Sequence, residues 1–166
     1  MKIRPTTLED MLALSDVLGG ERAAFYRRRM KHQGTVRTAW EGNDLVGVVY
    51  VTWEPALEAS VRENLPGVPL VHKLHVVPQC RGRGWGAELV RDAENLEEVQ
   101  LAGTLAAGVD LDNEAAVGFW ERLGYREWEY GVVETVKELD KPDGTLEIVP
   151  DKCRIFSKVF DSASRA

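Results

Sequence analysis

The stretch from Leu70 to Val90 constrains this chain more than any other. An apolar run from Leu70 to Val77 is stopped by Pro78, and Arg81-Gly82-Arg83-Gly84-Trp85-Gly86-Ala87 follows before an amphipathic pattern resumes at Leu89 and Val90. The order is strand, glycine loop, helix. Glycines at alternate positions let the backbone turn tightly and leave its N–H groups uncovered. Those groups lie at the positive end of the next helix dipole, which makes a place for phosphate. Arg81 and Arg83 add charge-assisted donors suited to a pyrophosphate. A glycine turn with solvated arginines satisfies the same residues, so the loop alone leaves both readings open. Gly82, Gly84 and Ala87 also satisfy G-x-G-x-x-A, with Asp110 placed for a ribose contact. That dinucleotide fingerprint belongs to a repeated βαβ unit, whereas one helix here precedes a long antiparallel-looking region.

The rest of the chain supports a mixed α+β domain. Ile3-Arg4-Pro5 is expected as a short strand, and Thr6-Thr7-Leu8-Glu9 has capping-box spacing before an apolar helix face of Leu8, Met11, Leu12 and Leu14 that ends at Gly19-Gly20. A second helix is expected over Glu21 to His32, then a hairpin of Val36 to Trp40 and Leu45 to Trp53. Residues 54–67 separate two strands by more than a tight turn requires, with Ala56 to Asn64 read as helical, and long connections are often functional. Downstream, the pattern predicts a helix from Gly84 to about Leu96, a strand from Thr104 to Val109, a helix from Asn113 to Leu123, a strand from Tyr125 to about Val136 and a closing strand from Cys153 to Phe160. No linker or repeat divides the chain, so residues 1–166 are expected to form a single domain.

Cys80 and Cys153 form no C-x-x-C pair, which argues for a reducing compartment and against a zinc module. No apolar run approaches the roughly 20 residues of a membrane span, and a soluble cytoplasmic protein with no membrane partner is expected. The formal charge of −6 is unevenly placed. Residues 1–37 carry +4 and 38–93 carry −2, while 94–151 carry −11 and 152–166 carry +3. An acidic field repels nucleic acid and favours a cationic small molecule or basic peptide, although a solvated acidic surface gives the same count. The basic run Arg27-Arg28-Arg29-Met30-Lys31 has no second cluster or interleaved aromatics, so it is read as a helix face and not as a nucleic-acid patch.

A second segment, Asn113-Glu114-Ala115-Ala116-Val117-Gly118-Phe119-Trp120-Glu121-Arg122-Leu123-Gly124-Tyr125, opens with a capping Asn and puts Ala116, Phe119, Trp120 and Leu123 on one helical face. Together, at this spacing, the two segments resemble the GNAT superfamily of acyl-CoA-dependent N-acyltransferases. The family loop, Arg or Gln followed by x-x-Gly-x-Gly or Ala, is matched from Arg81 to Gly86. Its later Asn-x-x-Ala-x-x-Phe-Tyr-x-x-x-Gly-Phe/Tyr pattern is matched from Asn113 to Tyr125 except at Trp120, where the family has tyrosine.

The resemblance implies a central mixed, mostly antiparallel sheet splayed between its fourth and fifth strands and flanked by about four helices. It implies acetyl-CoA as co-substrate with no metal, the pyrophosphate on the backbone from Arg81 through Trp85 to Ala87, and pantetheine beside Leu74 and Val76. Asn113, Ala116, Phe119 and Trp120 would complete the cofactor wall. The implied reaction is direct acetyl transfer to a primary amine of a small, cationic acceptor or a peptide N-terminus, and a homodimer is compatible with it. In that layout His72 faces the substrate as a base, with His75 a weaker candidate because its strand parity is opposite. Glu134 is a second candidate if the strand from Tyr125 is unbroken, since it then shares a face with Trp128, Tyr130, Val132 and Val136. Indole cannot act as an acid at neutral pH. Water or Tyr130 then protonates the thiolate, or the thiolate leaves unaided, or the chain is an acyl-CoA-binding module with weak or no catalysis.

Overall fold

The structure, a computed structural model, describes residues 2–160. Its strands are β1 (Lys2–Pro5), β2 (Gly34–Glu41), β3 (Asp44–Thr52), β4 (Leu70–Val76), β5 (Thr104–Asp110), β6 (Arg126–Glu127), β7 (Val133–Asp140) and β8 (Leu146–Val159). The helices are α1 (Asp10–Leu18), α2 (Gly20–Arg29), α3 (Ala59–Asn64), α4 (Trp85–Glu94), α5 (Glu97–Ala102) and α6 (Glu114–Arg122). The strands form one sheet in the order β1-β2-β3-β4-β5-β8-β6, with β7 paired to β8. Every pairing is antiparallel except β4 with β5.

That exception builds the site. The parallel ladder holds only Leu70 opposite Ala106 and Val71 opposite Ala107. Beyond Val71 the two strands part, as the resemblance implied, and the β4 edge from His72 to Val76 has no strand beside it on that side. On its other side β4 stays paired to β3, with an interruption: Tyr50 lies opposite His72 and Val48 opposite His75. Two residues of β4, Lys73 and Leu74, therefore face one residue of β3, which is a β-bulge. Lys73 carries it with φ of 54°, the sole positive φ at a non-glycine among the described residues.

The bulge corrects the parity expectation for β4. Residues opposite one another across a ladder point to the same face, and Tyr50 and Val48 both belong to the core under α1 and α2. His72 and His75 thus look the same way, toward α2. His72 packs against the Tyr50 ring and His75 against the Arg22 guanidinium.

Two apolar layers sandwich the sheet. Under α1 and α2, Leu14, Phe25 and Tyr26 pack on Val36, Val48 and Tyr50. On the opposite face Leu89, Val90 and Ala93 of α4 and Trp120 of α6 pack on Val49, Val51, Leu105 and Phe156. Leu89 and Val90 have no exposed surface, and burial of such side chains contributes about 1.5–3 kcal/mol each.

Several local expectations change. The capping box at Thr6–Glu9 does not form; the Thr7 N–H donates to Asp10 Oδ2 at 2.8 Å, and Asp10 is held by Arg4. Leu8 and Leu12 are 67% and 76% exposed, so the buried face of α1 rests on Leu14. Among the described residues six α-helices are present where about four were expected: the connection after β3 carries the short α3, and the chain restarts as α5 after an extended Leu96. The strand predicted from Tyr125 to Val136 is broken: β6 ends at Glu127, Gly131 takes φ of 82°, and β7 begins at Val133.

Candidate active site

A cleft of about 1180 Å³ runs along the splayed edge of β4, from the glycine loop to a chamber under α2 and α3. At the loop end, α4 begins immediately after Gly84, and its first turn bonds Glu88 N–H to Gly84 O at 3.0 Å. The preceding N–H groups, of Trp85, Gly86 and Ala87, have no carbonyl to take within the helix. Gly82 and Gly84 hold φ of 78° and 87°, with open space where a Cβ would stand. Gly86 answers a different need: a Cβ there would lie 3.2 Å from the Phe119 ring. Small size at Gly86 lets α4 close on α6.

Most of the expected cofactor residues meet in this cleft. Leu74 and Val76 line it from β4, Arg81, Gly82 and Gly84 from the glycine loop, Trp85, Gly86 and Ala87 from the start of α4, and Asn113, Ala116, Phe119 and Trp120 from α6 and its cap. Arg83 does not line it. The Trp85 indole is buried in the core, leaving its backbone to face the cleft. Arg81 folds back so that Nε donates to the Val76 carbonyl at 3.0 Å. Asn113 caps α6, its Oδ1 accepting from Ala116 N–H at 3.0 Å.

Trp120 is 5% exposed and packs edge-on to Tyr125 and Phe119 at centroid distances of 4.8 and 5.3 Å. Its Nε1 has no hydrogen-bond partner among the described residues and is not sealed from solvent. Trp120 lines the cleft, and its indole N–H is a donor without an acidic proton.

The chamber at the far end is built by Phe25, Arg29, Tyr50, Glu54, Glu58 and His72, with β7 closing one side. The Tyr50 and His72 rings lie 5.9 Å apart. Burial pushes the Tyr50 hydroxyl above its usual range. Glu58 is fixed by Thr135 of β7, whose Oγ1 donates to Oε2 at 2.7 Å. Glu54 accepts from the Gln33 N–H at 3.1 Å, which lowers its pKa, and contacts His32. The hairpin is tied down by charge: Arg28 bonds Glu138 at 2.8 Å and also Asp140, and Arg29 bonds Glu138. The basic run of α2 thus meets acid from β7, which fills the role of a helix face and neutralises part of the −11 segment.

His72 keeps accessible surface on the cleft. Desolvation by the surrounding cleft, with the Arg29 charge next and Lys73 adding to it, pushes its pKa down to about 4 against an opposing effect of Glu58. The ring is neutral at pH 7 and can accept a proton. His75 lines the same cleft, and burial with Arg22 also pushes it to about 4. Glu134 is exposed on β7 and does not line the cleft, because the break at Gly131 swings it out. Tyr130 is 55% exposed, packed on Trp128 and also outside the cleft. Burial pushes the Cys153 thiol, in the cleft wall, up to about 11.

Sequence reasoning missed Arg29, Tyr50, Glu58 and Lys73. Tyr50 was reachable from the hairpin, since the register that pairs β3 with β4 sets it opposite His72. Arg29 and Glu58 arrive through contacts far apart in sequence, and Lys73, next to His72, is turned to the cleft by a bulge that only the β3–β4 register reveals.

The fold has relatives among solved structures. An N-acetyltransferase from Staphylococcus aureus Mu50 superposes with a TM-score of 0.65 at 15% identity, covering 96% of this chain and 98% of that one. An aminoglycoside 6'-N-acetyltransferase complexed with coenzyme A gives 0.64 at 19% identity over 96% and 97% of the two chains. A Vibrio cholerae spermidine N-acetyltransferase chimera gives 0.64 at 12% identity over 99% and 98%. No curated protein sequence matches. The sequence profile of the acetyltransferase (GNAT) family spans residues 7–125, which takes in the splayed strand, the glycine loop and the α6 motif, and the chain belongs to that family of acyl-CoA-dependent N-acetyltransferases.

Proposed function

We propose that this protein transfers an acetyl group from acetyl-CoA directly to a primary amine of a small acceptor, drawn in by positive charge on that amine. The observation that carries the reading is the single cleft joining an uncovered helix start to a chamber holding a neutral imidazole. The amides of Trp85, Gly86 and Ala87, with Arg81, suit a pyrophosphate, and the open space at Gly82 and Gly84 leaves room for it. Acetyl-CoA, when bound, supplies the acetyl group as an activated thioester. Leu74 and Val76 lie on the free strand edge, where backbone groups can bond pantetheine and an aligned amide can stabilise charge on the carbonyl oxygen.

His72 is the base. An imidazole of pKa about 4 is too weak to deprotonate a ground-state alkylammonium of about 10.4. The ammonium first gives one proton to solvent; His72 can accept the second, which the attacking neutral amine releases once its bond to the carbonyl carbon acidifies the nitrogen. Glu54 and Glu58 attract the incoming ammonium. Trp120 packs against the thioester region and offers its N–H to the departing sulfur without protonating it. Cys153, as a high-pKa thiol, is no relay for the acetyl group, which favours direct transfer. The chain acts as one transferase unit, in the cytoplasm on this reading. Among the described residues no helix is long and apolar enough to cross a membrane.

The test is CoA release with polyamines, aminoglycosides, arylalkylamines and peptide N-termini, beside calorimetric acetyl-CoA binding. Acetyl-CoA binding with an amine-dependent thiol signal supports the reading. Binding with no thiol release from any acceptor supports a CoA-binding module.

A further inference from the structure

The acceptor chamber carries cations that the reaction does not use. Lys73 lines the cleft beside His72, and Lys137 lines it from β7. Neither ammonium has a carboxylate within 4.0 Å among the described residues. Asp110 and Asp151 act on Lys73 from farther away, while Lys137 and Arg22 repel it; burial and this repulsion together lower its pKa. Lys73 is also held with care. It is the bulge residue with φ of 54°, a conformation that disfavours a non-glycine side chain. Tyr26 donates its hydroxyl to the Lys73 carbonyl, and the ammonium sits 5.7 Å from the centre of the Phe25 ring, which Arg29 faces at 4.9 Å. A strained backbone, fixed from α2, thus presents an unpaired ammonium to the chamber. Glu58, anchored by Thr135, lines the same cleft.

Resting on the transferase reading above, we infer that the acceptor is an aminocarboxylate: Lys73, assisted by Lys137, takes its carboxylate while Glu58 draws in its ammonium. Lys73 is then a specificity-determining residue. A cation from the bulge next to His72 places the carboxylate near the amine, so the small amino-acid class is favoured over polyamines and over peptide N-termini whose carboxylates lie far off. The earlier positive charge is kept, as the charge of the amine itself. An unpaired ammonium in a partly desolvated cleft discriminates strongly between a ligand that pairs it and one that does not.

The experiment compares acceptor pairs that differ only by the carboxylate: phenylalanine with phenethylamine, lysine with cadaverine, arginine with agmatine. Thiol release should favour the carboxylate member by about 10- to 100-fold in kcat/KM in at least one pair. Lys73→Met should collapse that ratio through KM, and Lys73→Arg should restore part of it. Preference for the decarboxylated member in every active pair, or an unchanged ratio in Lys73→Met, overturns the inference. If no acceptor releases CoA, the transferase reading fails, and the subsite is judged by binding. Lysines carrying isotope-labelled dimethyl groups keep their charge, and the Lys73 signal is identified by its loss in Lys73→Arg. With CoA present, N-acetylglycine should shift that signal and N-methylacetamide should not. Equal response to both, or none to N-acetylglycine, also overturns the inference.

Discussion

Substitution at Gly84 separates the backbone demands of the loop from its charge. Gly84 has φ of 87° and nothing within 4 Å of the point where a Cβ would stand, so alanine meets strain but no clash. Left-handed backbone costs a residue with a Cβ about 1–2 kcal/mol. That loss lowers Tm by roughly 2–4 °C per kcal/mol in a domain of this size. Gly84→Ala should therefore melt a few degrees lower while binding acetyl-CoA within a few-fold of wild type. Gly84→Asp adds a carboxylate at the start of α4, where the helix amides Trp85 to Ala87 receive the pyrophosphate. Two unit charges about 6 Å apart at an effective dielectric near 20 repel by about 3 kcal/mol, or about 100-fold in affinity. Calorimetry with acetyl-CoA reads the difference, and thermal melts confirm that both variants are folded. Equal affinity for the two variants would refute the placement of the pyrophosphate on this loop.

Other outcomes follow from the same geometry. His72→Gln should lower kcat by about 10²-fold or more with acetyl-CoA affinity kept; because the base works unprotonated, the wild-type activity that falls as pH drops through about 4 should lose that limb in the variant. Trp120→Tyr should keep or raise activity, since a phenol can protonate the thiolate, whereas Trp120→Ala removes the packing on Phe119 and Tyr125 and should cost about 3–5 kcal/mol of stability together with weaker CoA binding. Asp10→Asn should destabilise by about 1.5–3 kcal/mol, read by chemical denaturation, because the carboxylate accepts from Arg4 Nη1 at 2.6 Å and Nη2 at 2.9 Å. The Arg4 hydrogen bond lowers the Asp10 pKa in the folded state, so its contribution is present above the unfolded carboxylate range and is lost as pH falls through the lower folded value.

What the sequence made legible is what local backbone chemistry dictates. Gly82 and Gly84 occupy left-handed φ, and Asn113 caps α6 with its own side chain, so the strand, loop and helix signals survive without tertiary knowledge. Where a long-range contact competes, the local signal loses. Arg4 captures Asp10 and moves the start of α1, which undoes the capping box at Thr6 and Glu9. The bulge at Lys73 depends on the register between β3 and β4, and it turns His75 to the face of His72 against simple alternation. Glu134 failed for a related reason: Gly131 breaks the strand whose continuity its placement required. The net charge misled in one respect. Glu138 and Asp140 bind Arg28 and Arg29, so part of the acid counted on the chain is already paired, and the cleft also holds Lys73 and Lys137.

The most direct measurement of the central claim follows thiol release and acceptor mass together, with acetyl-CoA and a primary amine, in wild type and His72→Gln. Direct transfer predicts one N-acetylated acceptor per CoA released, strongly slowed in His72→Gln while calorimetric acetyl-CoA binding persists. Tight acetyl-CoA binding with no acetylated acceptor from the wild type would contradict it, and equal turnover in the variant would remove His72 from the role of base.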